Sequence, residues 1–279
     1  METTEQIKDM VRQKYSEIAL QDKEDNQASC CGSGCCSTEV YNIMSDDYTQ
    51  LEGYNPDADL GLGCGLPTQF AKIKTGDVVI DLGSGAGNDC FIARAETGDT
   101  GKVIGIDFTP AMIEKARTNA DKLGYHNVEF RQGDIEKMPV TANTADVIVS
   151  NCVLNLVPNK YGVIQEMFRV LKPGGHFSIS DIVLAGSLPK KIEEAAEMYA
   201  GCVSGAIQKE AYLELIDVNG FKNVVLQKEK PINIPDDILS QYLTPEEIAA
   251  FRDSGTGIVS VTVFGEKPKD TACCAPGCC

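Results

Sequence analysis

Hydrophobic and polar positions switch between two periods along the chain. From residue 5 to 20, Ile7, Met10, Val11, Tyr15, Ile18 and Ala19 recur at steps of three and four, one face of a helix. Residues 21–60 lose that pattern and are polar and rich in Cys and Gly, which predicts a mobile arm or lid. Short apolar runs then alternate with helical stretches. Val78–Leu82 predicts a strand, with a helix over 89–97; Lys102–Asp107 predicts a second strand, with a helix over 109–123. Residues 128–131 and 146–150 read as strands, 161–171 as a helix ending before Pro173-Gly174-Gly175, and 176–181 as a further strand. This alternation predicts an α/β fold: a mostly parallel sheet with helices on both faces. Past Asp181, residues 189–199 and 210–218 predict helices, 223–227 and 258–264 strands, and 231–252 a small helical insertion. The expected organisation is an N-terminal helix with a Cys-rich arm (1–60), a central domain (61–182), an α+β substrate region completing the sheet (183–268) and a Cys-rich tail (269–279).

A length of 279 residues fits one large domain or two modest ones. Against 41 acidic residues stand 25 Lys and Arg, a net charge of −16. That field repels phosphate backbones and anionic lipid, so neither nucleic acid nor a membrane is an expected partner. Met1 to Gln6 shows neither the basic nor the apolar region of a secretory signal, and a cytoplasmic protein is expected.

Cysteine changes the picture most. There are 12, beside two His and no Trp. In a reducing compartment such a count points to thiol or metal chemistry rather than a disulfide framework. Cys30, Cys31, Cys35 and Cys36 form one Cys-Cys-x-x-x-Cys-Cys cluster, and Cys273, Cys274, Cys278 and Cys279 form another. Small turn-forming residues fill both gaps and let the pairs fold together, an arrangement suited to soft, thiophilic ions; a flexible tail of reduced thiols reads the same way. Cys64, Cys90, Cys152 and Cys202 lie in the patterned part of the chain, where a lone Cys is ordinarily a small buried hydrophobe. Glycines flank Cys64 and Cys202, which predicts turns with exposed sulfurs.

Ile80-Asp81-Leu82-Gly83-Ser84-Gly85-Ala86-Gly87 follows a strand and opens a helix, where backbone N–H groups meet ligands. It is not the dinucleotide fingerprint G-x-G-x-x-G, whose third glycine would fall at Asn88. The leading carboxylate, Asp81, suits a positively charged ligand. Asp107 ends the second strand 20 residues beyond Gly87, where a carboxylate can accept both hydroxyls of a ribose. Gly133-Asp134-Ile135 ends the third strand, where it can frame an adenine ring.

In that order, at successive strand ends, these pieces resemble the class I S-adenosylmethionine (SAM) methyltransferases, a Rossmann-like fold, over about residues 70–182. The resemblance implies SAM as cofactor, with Asp81, Gly83, Ser84, Gly85, Gly87, Asp107, Phe108, Asp134, Ile135 and Asn151 around it. Gly63-Cys64-Gly65, Asn88-Asp89-Cys90, Ser150-Asn151-Cys152-Val153-Leu154-Asn155-Leu156-Val157-Pro158 and Gly201-Cys202 further resemble the arsenite SAM methyltransferases, across most of residues 60–225. In that family the positions of Cys64, Cys152 and Cys202 hold trivalent arsenic, so arsenite or a methylated trivalent arsenical is the implied substrate. A cysteine nearer the N-terminus joins a redox cycle there. Cys36 is the candidate here, with Cys30, Cys31 and Cys35 as alternatives, and thioredoxin or glutathione the implied reductant. Leu62 stands where eukaryotic members carry an aromatic. Cys90, behind the cofactor turn, and the two histidines, His126 and His176, read as structural. Two other functions share parts of these features: methylation of another small molecule such as a quinone-like acceptor, and a thiol-rich metalloid buffer.

Overall fold

The computed structural model describes residues 4–20, 46–192, 205–240 and 242–269. Its strands are β1 (Val78–Leu82), β2 (Lys102–Asp107), β3 (Val128–Gln132), β4 (Ala145–Asn151), β5 (Leu171–Ala185), β6 (Lys222–Ile232) and β7 (Gly257–Glu266). They form one sheet in the order β3-β2-β1-β4-β5-β7-β6. The pairs from β3 to β5 are parallel, and β7 runs antiparallel to both of its neighbours. This is the mostly parallel sheet that the resemblance to the class I SAM methyltransferases implies. The chain leaves β1 toward β2 and β3 on one side and returns to β4 on the other. The strand order therefore reverses between β1 and β4, and a crevice opens beyond their carboxyl ends.

Both faces of the central strands are covered, which is why they read as continuous apolar runs. Ile80, Leu82 and Ile148 point into one core, shared with Val163, Ile164 and Met167. Their neighbours Val79, Val147 and Val149 point into the other, with Phe91, Met112 and Ala116.

The helices are α1 (Thr4–Ala19), α2 (Pro67–Phe70), α3 (Asn88–Thr97), α4 (Pro110–Leu123), α5 (Lys160–Val170), α6 (Lys209–Val218), α7 (Asp236–Leu239) and α8 (Pro245–Asp253). Their ends follow local chemistry. In α4 a proline occupies the first turn, and Gly124, at φ +67°, returns its N–H to the carbonyls of Ala120 and Asp121. A reciprocal Thr244–Glu247 capping box starts α8. Among the described residues no helix is long and apolar enough to cross a membrane.

Three expectations are corrected. Strand β5 does not begin at His176 but runs for 15 residues through Pro173-Gly174-Gly175. Pairing outweighs the turn chemistry there: the Gly174 N–H donates to the Lys267 carbonyl at 2.9 Å, and Lys267 N–H returns to Gly175 at 2.8 Å. Strand β6 likewise takes Pro231 and Ile232 from the expected insertion, because they pair with Val259 and Ile258. Residues 46–60, assigned to the arm on composition, are folded onto the domain, with Tyr48, Ala58, Asp59 and Leu60 buried. Asp46 ties the start of that segment to β6 through Lys228 at 2.6 Å and Lys230 at 3.0 Å.

Candidate active site

Two adjoining cavities occupy the crevice beyond β1 and β4. The larger, about 750 Å³ with part open to solvent, is lined by Gly83, Gly85, Asp107, Phe108, Asp134, Ile135, Asn151 and Cys152 among others. The smaller, about 470 Å³, is lined by Asp81, Gly83, Ser84, Gly85 and Asn151, together with Tyr48, Asp59 and Asp89. Gly87 lines neither. It sits at φ +101° ahead of α3, and a Cβ there would press on the Phe91 ring at 2.8 Å and the Phe130 ring at 2.9 Å. Its hydrogen is needed for packing.

Asp107 ends β2 with both carboxylate oxygens engaged by backbone. Oδ2 accepts from Gly85 N–H at 3.0 Å and Oδ1 from Thr109 N–H at 2.8 Å. The bonds hold the carboxylate at the cavity wall with lone pairs left for a diol. Burial raises its pKa, and those backbone donors oppose the rise. Space beside the turn is open: a Cβ on Gly85 would meet nothing within 4 Å. Phe108, Met112 and Ile135 supply an apolar wall suited to a planar ring. At the same end Asp134 accepts from Glu136 N–H at 2.9 Å and from Lys8 Nζ at 2.6 Å, so α1 closes over this end of the cavity. Lys8 and Tyr15 thus join the lining.

The smaller cavity is anionic. Asp59, Asp81 and Asp89 line it, with no Lys or Arg among the described lining residues. Burial and then the neighbouring Asp89 push the Asp81 pKa well up, while the Cys90 thiol, donating at 3.2 Å, holds it down. Asp89 rises to about 6, burial outweighing the hydrogen bonds from Asn151 and Tyr48. Its Oδ1, like Ser84 Oγ, is buried with no hydrogen-bond partner among the described residues. Carboxylates so placed favour a cationic ligand. An adenosine end against Asp107 and a cationic end against Asp81 and Asp89 fit SAM.

Cys152 follows β4 at φ +58°, a left-handed conformation uncommon for a residue with a side chain. It is 3% exposed and lines the larger cavity. Cys64 is 1% exposed, which corrects the expectation of an exposed sulfur. It does lie in a turn, but Gly63 and Gly65 let that turn press inward. A Cβ on Gly65 would come within 2.6 Å of Ser180 Oγ, and one on Gly63 within 2.8 Å of Asn151 Nδ2. Cys64 N–H donates to Asn151 Oδ1 at 3.0 Å, and Cys64 carbonyl accepts from Ser260 Oγ at 2.6 Å. Both thiols belong to one apolar cluster with Ile182, Leu188, Ile232 and Phe251. Both also lie close enough to Tyr212 to help raise its pKa, after burial and Asp181.

Cys202, both four-cysteine clusters and thus Cys36 lie outside the described residues. Among the described residues no three His, Cys, Asp or Glu side chains are grouped to hold a metal ion. Cys90 is fully buried against Asp81, and His176 bonds the Ala71 carbonyl at 2.6 Å.

The methyltransferase-domain family matches residues 73–228. An arsenite methyltransferase of Halobacterium salinarum is 39% identical over 95% of this chain and 67% of its own length. One from Aquipseudomonas alcaligenes is 31% identical over 83% of this chain and 67% of its own. The chain belongs to the arsenite methyltransferase family. It is a SAM-dependent methyltransferase. A solved structure of an arsenic(III) SAM methyltransferase from Chlamydomonas reinhardtii is similar to it at TM-score 0.62 and 30% identity, over 84% of this chain and 74% of that one.

Sequence reasoning missed Lys8, Tyr48 and Asp89. Asp89 stands inside a quoted motif, but an acid in the first turn of a helix is ordinary dipole chemistry. Tyr48 is an aromatic in a polar stretch, a usable signal. Nothing in the pattern marks Lys8.

Proposed function

We propose that this enzyme methylates trivalent arsenic, arsenite or a methylated arsenical, held by the thiols of Cys64, Cys152 and Cys202. The observation that carries the reading is the burial of Cys64 and Cys152 in one apolar cluster, with Cys152 also on the cofactor cavity. Three thiols displace three hydroxyls from arsenous acid as water and leave a neutral complex. An apolar surround accepts a neutral complex and penalises an ionic one. A divalent metal would bring net charge, so the lining favours the metalloid. Gly205, three residues past Cys202, packs so tightly on the Asn155 carbonyl that no Cβ fits. Three residues reach at most about 11 Å, which supports Cys202 as the third ligand.

SAM supplies a methyl group activated on a sulfonium. Asp107 would hold the ribose, Phe108, Asp134 and Ile135 would frame the adenine, and Asp81 with the turn Gly83-Ser84-Gly85 would face the cationic end. Arsenic keeps a lone pair when bound to three sulfurs and attacks without losing a proton, so no general base is required. The chain's contribution is alignment, with reacting atoms about 3–3.5 Å apart. Transfer takes arsenic from the trivalent to the pentavalent state. Two thiols closing to a disulfide return two electrons, with Cys36 the candidate and Cys30, Cys31 and Cys35 its alternatives. Thioredoxin or glutathione then reduces that disulfide in the cytoplasm.

The test is mass spectrometry of arsenicals formed from SAM, arsenite and a thiol reductant. Wild type yields methylated arsenic. Cys64→Ser, Cys152→Ser and Cys202→Ser each abolish it while SAM still binds. Wild-type turnover by any of the three removes that residue from the ligand set.

A further inference from the structure

We infer that Tyr48, Asn151 and Asp89 form a positioning relay through which an occupied cofactor site tightens the hold of Cys64 on its arsenic substrate. The inference rests on the arsenic reading and adds a coupling between the two sites.

The relay is short of protons. Tyr48 Oη lies 2.9 Å from the Gly65 carbonyl and 3.1 Å from Asp89 Oδ2. Asn151 Nδ2 lies 2.9 Å from the same carbonyl and 3.2 Å from the same carboxylate oxygen, and it also hydrogen-bonds to Tyr48 Oη. A phenol donates once and an amide twice, so three protons serve five contacts. The carboxylate and the Gly65 carbonyl compete for them. An ionised acceptor draws hydrogen bonds roughly twice as strong as a neutral one, so Asp89 prevails when no cation is near. Asp89 Oδ1 is buried, lacks a partner among the described residues and belongs to a cavity wall. A cationic group beside it, such as the amino-acid ammonium that SAM and S-adenosylhomocysteine share, compensates the carboxylate and frees a hydrogen bond for Gly65.

Cys64 is where that release is felt. Its N–H is already held by Asn151 Oδ1 and its carbonyl by Ser260. With Gly65 secured, the backbone on both sides of the sulfur-bearing residue is fixed before arsenic arrives. The fit leaves no slack, since a Cβ on Gly63 would lie 2.8 Å from Asn151 Nδ2 and 3.1 Å from Tyr48 Oη.

Linkage makes the coupling reciprocal: arsenite must tighten cofactor binding by the factor by which the cofactor tightens arsenite. Calorimetry of S-adenosylhomocysteine on the full chain, without and with saturating arsenite, reads it. This readout ignores arsenite taken up by the two four-cysteine clusters without effect on the cofactor site. The expected result is at least a fivefold gain in affinity, the lower end of the roughly 5–150-fold range of such couplings. In Tyr48→Phe, and in Cys64→Ser, the ratio falls to within twofold of one. A role in stability alone would lower the unfolding midpoint of Tyr48→Phe and leave the ratio unchanged. Should Tyr48→Phe lose its cooperative unfolding transition, Asp89→Asn, which preserves shape, carries the same expectation. A wild-type ratio near one, or a full ratio surviving in Tyr48→Phe or Cys64→Ser, overturns the relay. If wild type retains more arsenite after desalting than Cys64→Ser does, yet shows a ratio of one, the relay fails and the arsenic reading stands. If the two proteins retain the same amount, both fall.

Discussion

Gly83→Ala probes the contact between the cofactor turn and the loop carrying Cys152. Gly83 sits at φ +65°, and a Cβ there would lie 2.7 Å from Val153 Cγ1 and closer still to Cγ2. Two separate costs follow. A side chain in the left-handed region costs about 1–2 kcal/mol. Forcing a methyl into the Val153 side chain costs about 1–3 kcal/mol. Together they remove about 2–5 kcal/mol from a domain whose whole stability is of order 5–15 kcal/mol. Val153 is only partly buried, and Val153→Ala alone costs about 1–2 kcal/mol. In the double variant the backbone cost remains and the collision disappears, so the two changes together cost about 1–3 kcal/mol less than their sum. Urea unfolding of the four proteins measures that difference, and calorimetry with S-adenosylhomocysteine shows whether cofactor affinity recovers in parallel. Additivity within about 0.5 kcal/mol would mean that the turn and the loop do not touch.

Asp107→Ala removes the carboxylate proposed to hold the ribose and is expected to weaken S-adenosylhomocysteine binding about 100-fold, two charge-assisted hydrogen bonds at about 1.5 kcal/mol each; an unchanged affinity places the ribose elsewhere. A cationic ligand favours ionised Asp89, whose pKa in the free protein is about 6. SAM affinity should therefore fall as pH drops below that value, by up to about tenfold per unit for one linked proton. Proton release seen by calorimetry in two buffers checks it, and binding flat from pH 7 to 5 would refute it. Asp181 is buried, accepts from Tyr212 Oη at 3.2 Å and rises from an ordinary 3.8 to about 7, chiefly through burial. The folded state then binds the proton more tightly than the unfolded one, so this group makes stability fall as pH rises from about 4 to 7. Asp181→Asn should flatten that part of the urea-stability profile, and an identical slope in the variant would remove Asp181 as its cause.

The strands at the centre of the sheet were legible because burial on two faces leaves a continuous apolar run in the chain. What long-range pairing decides was not. Strand β5 extends back through Pro173-Gly174-Gly175 because Lys267 bonds across to it, and no local pattern announces a partner nearly a hundred residues away. The candidate cofactor residues were legible for the opposite reason. Asp81, Asp107 and Asp134 stand at or just beyond successive strand ends, so order along the chain becomes proximity in space. The site's other half comes from segments whose contacts have no sequence period. Lys8 reaches Asp134 across 126 positions, and Tyr48 reaches Asn151 across 103. The same flanking glycines that suggested an exposed Cys64 are what allow it to be buried, since a residue without Cβ suits an open turn and a tight approach equally.

The end of β4 explains how one stretch serves several tasks. In an extended strand consecutive side chains face opposite sides, so Asn151, Cys152 and Val153 should not share a wall. All three line the larger cavity. The left-handed Cys152 breaks the alternation, at a backbone cost of about 1–2 kcal/mol, and its N–H is held by the Ser180 carbonyl at 2.8 Å. The consequence is threefold: Asn151 is turned toward Asp89 and the Cys64 loop, the Cys152 thiol toward the apolar cluster, and Val153 toward Gly83. Glycine would relieve that strain, but it would remove the sulfur as well. A strained backbone at a residue with reactive chemistry, with its cost offset by packing around it, is how function is expected to override local preference.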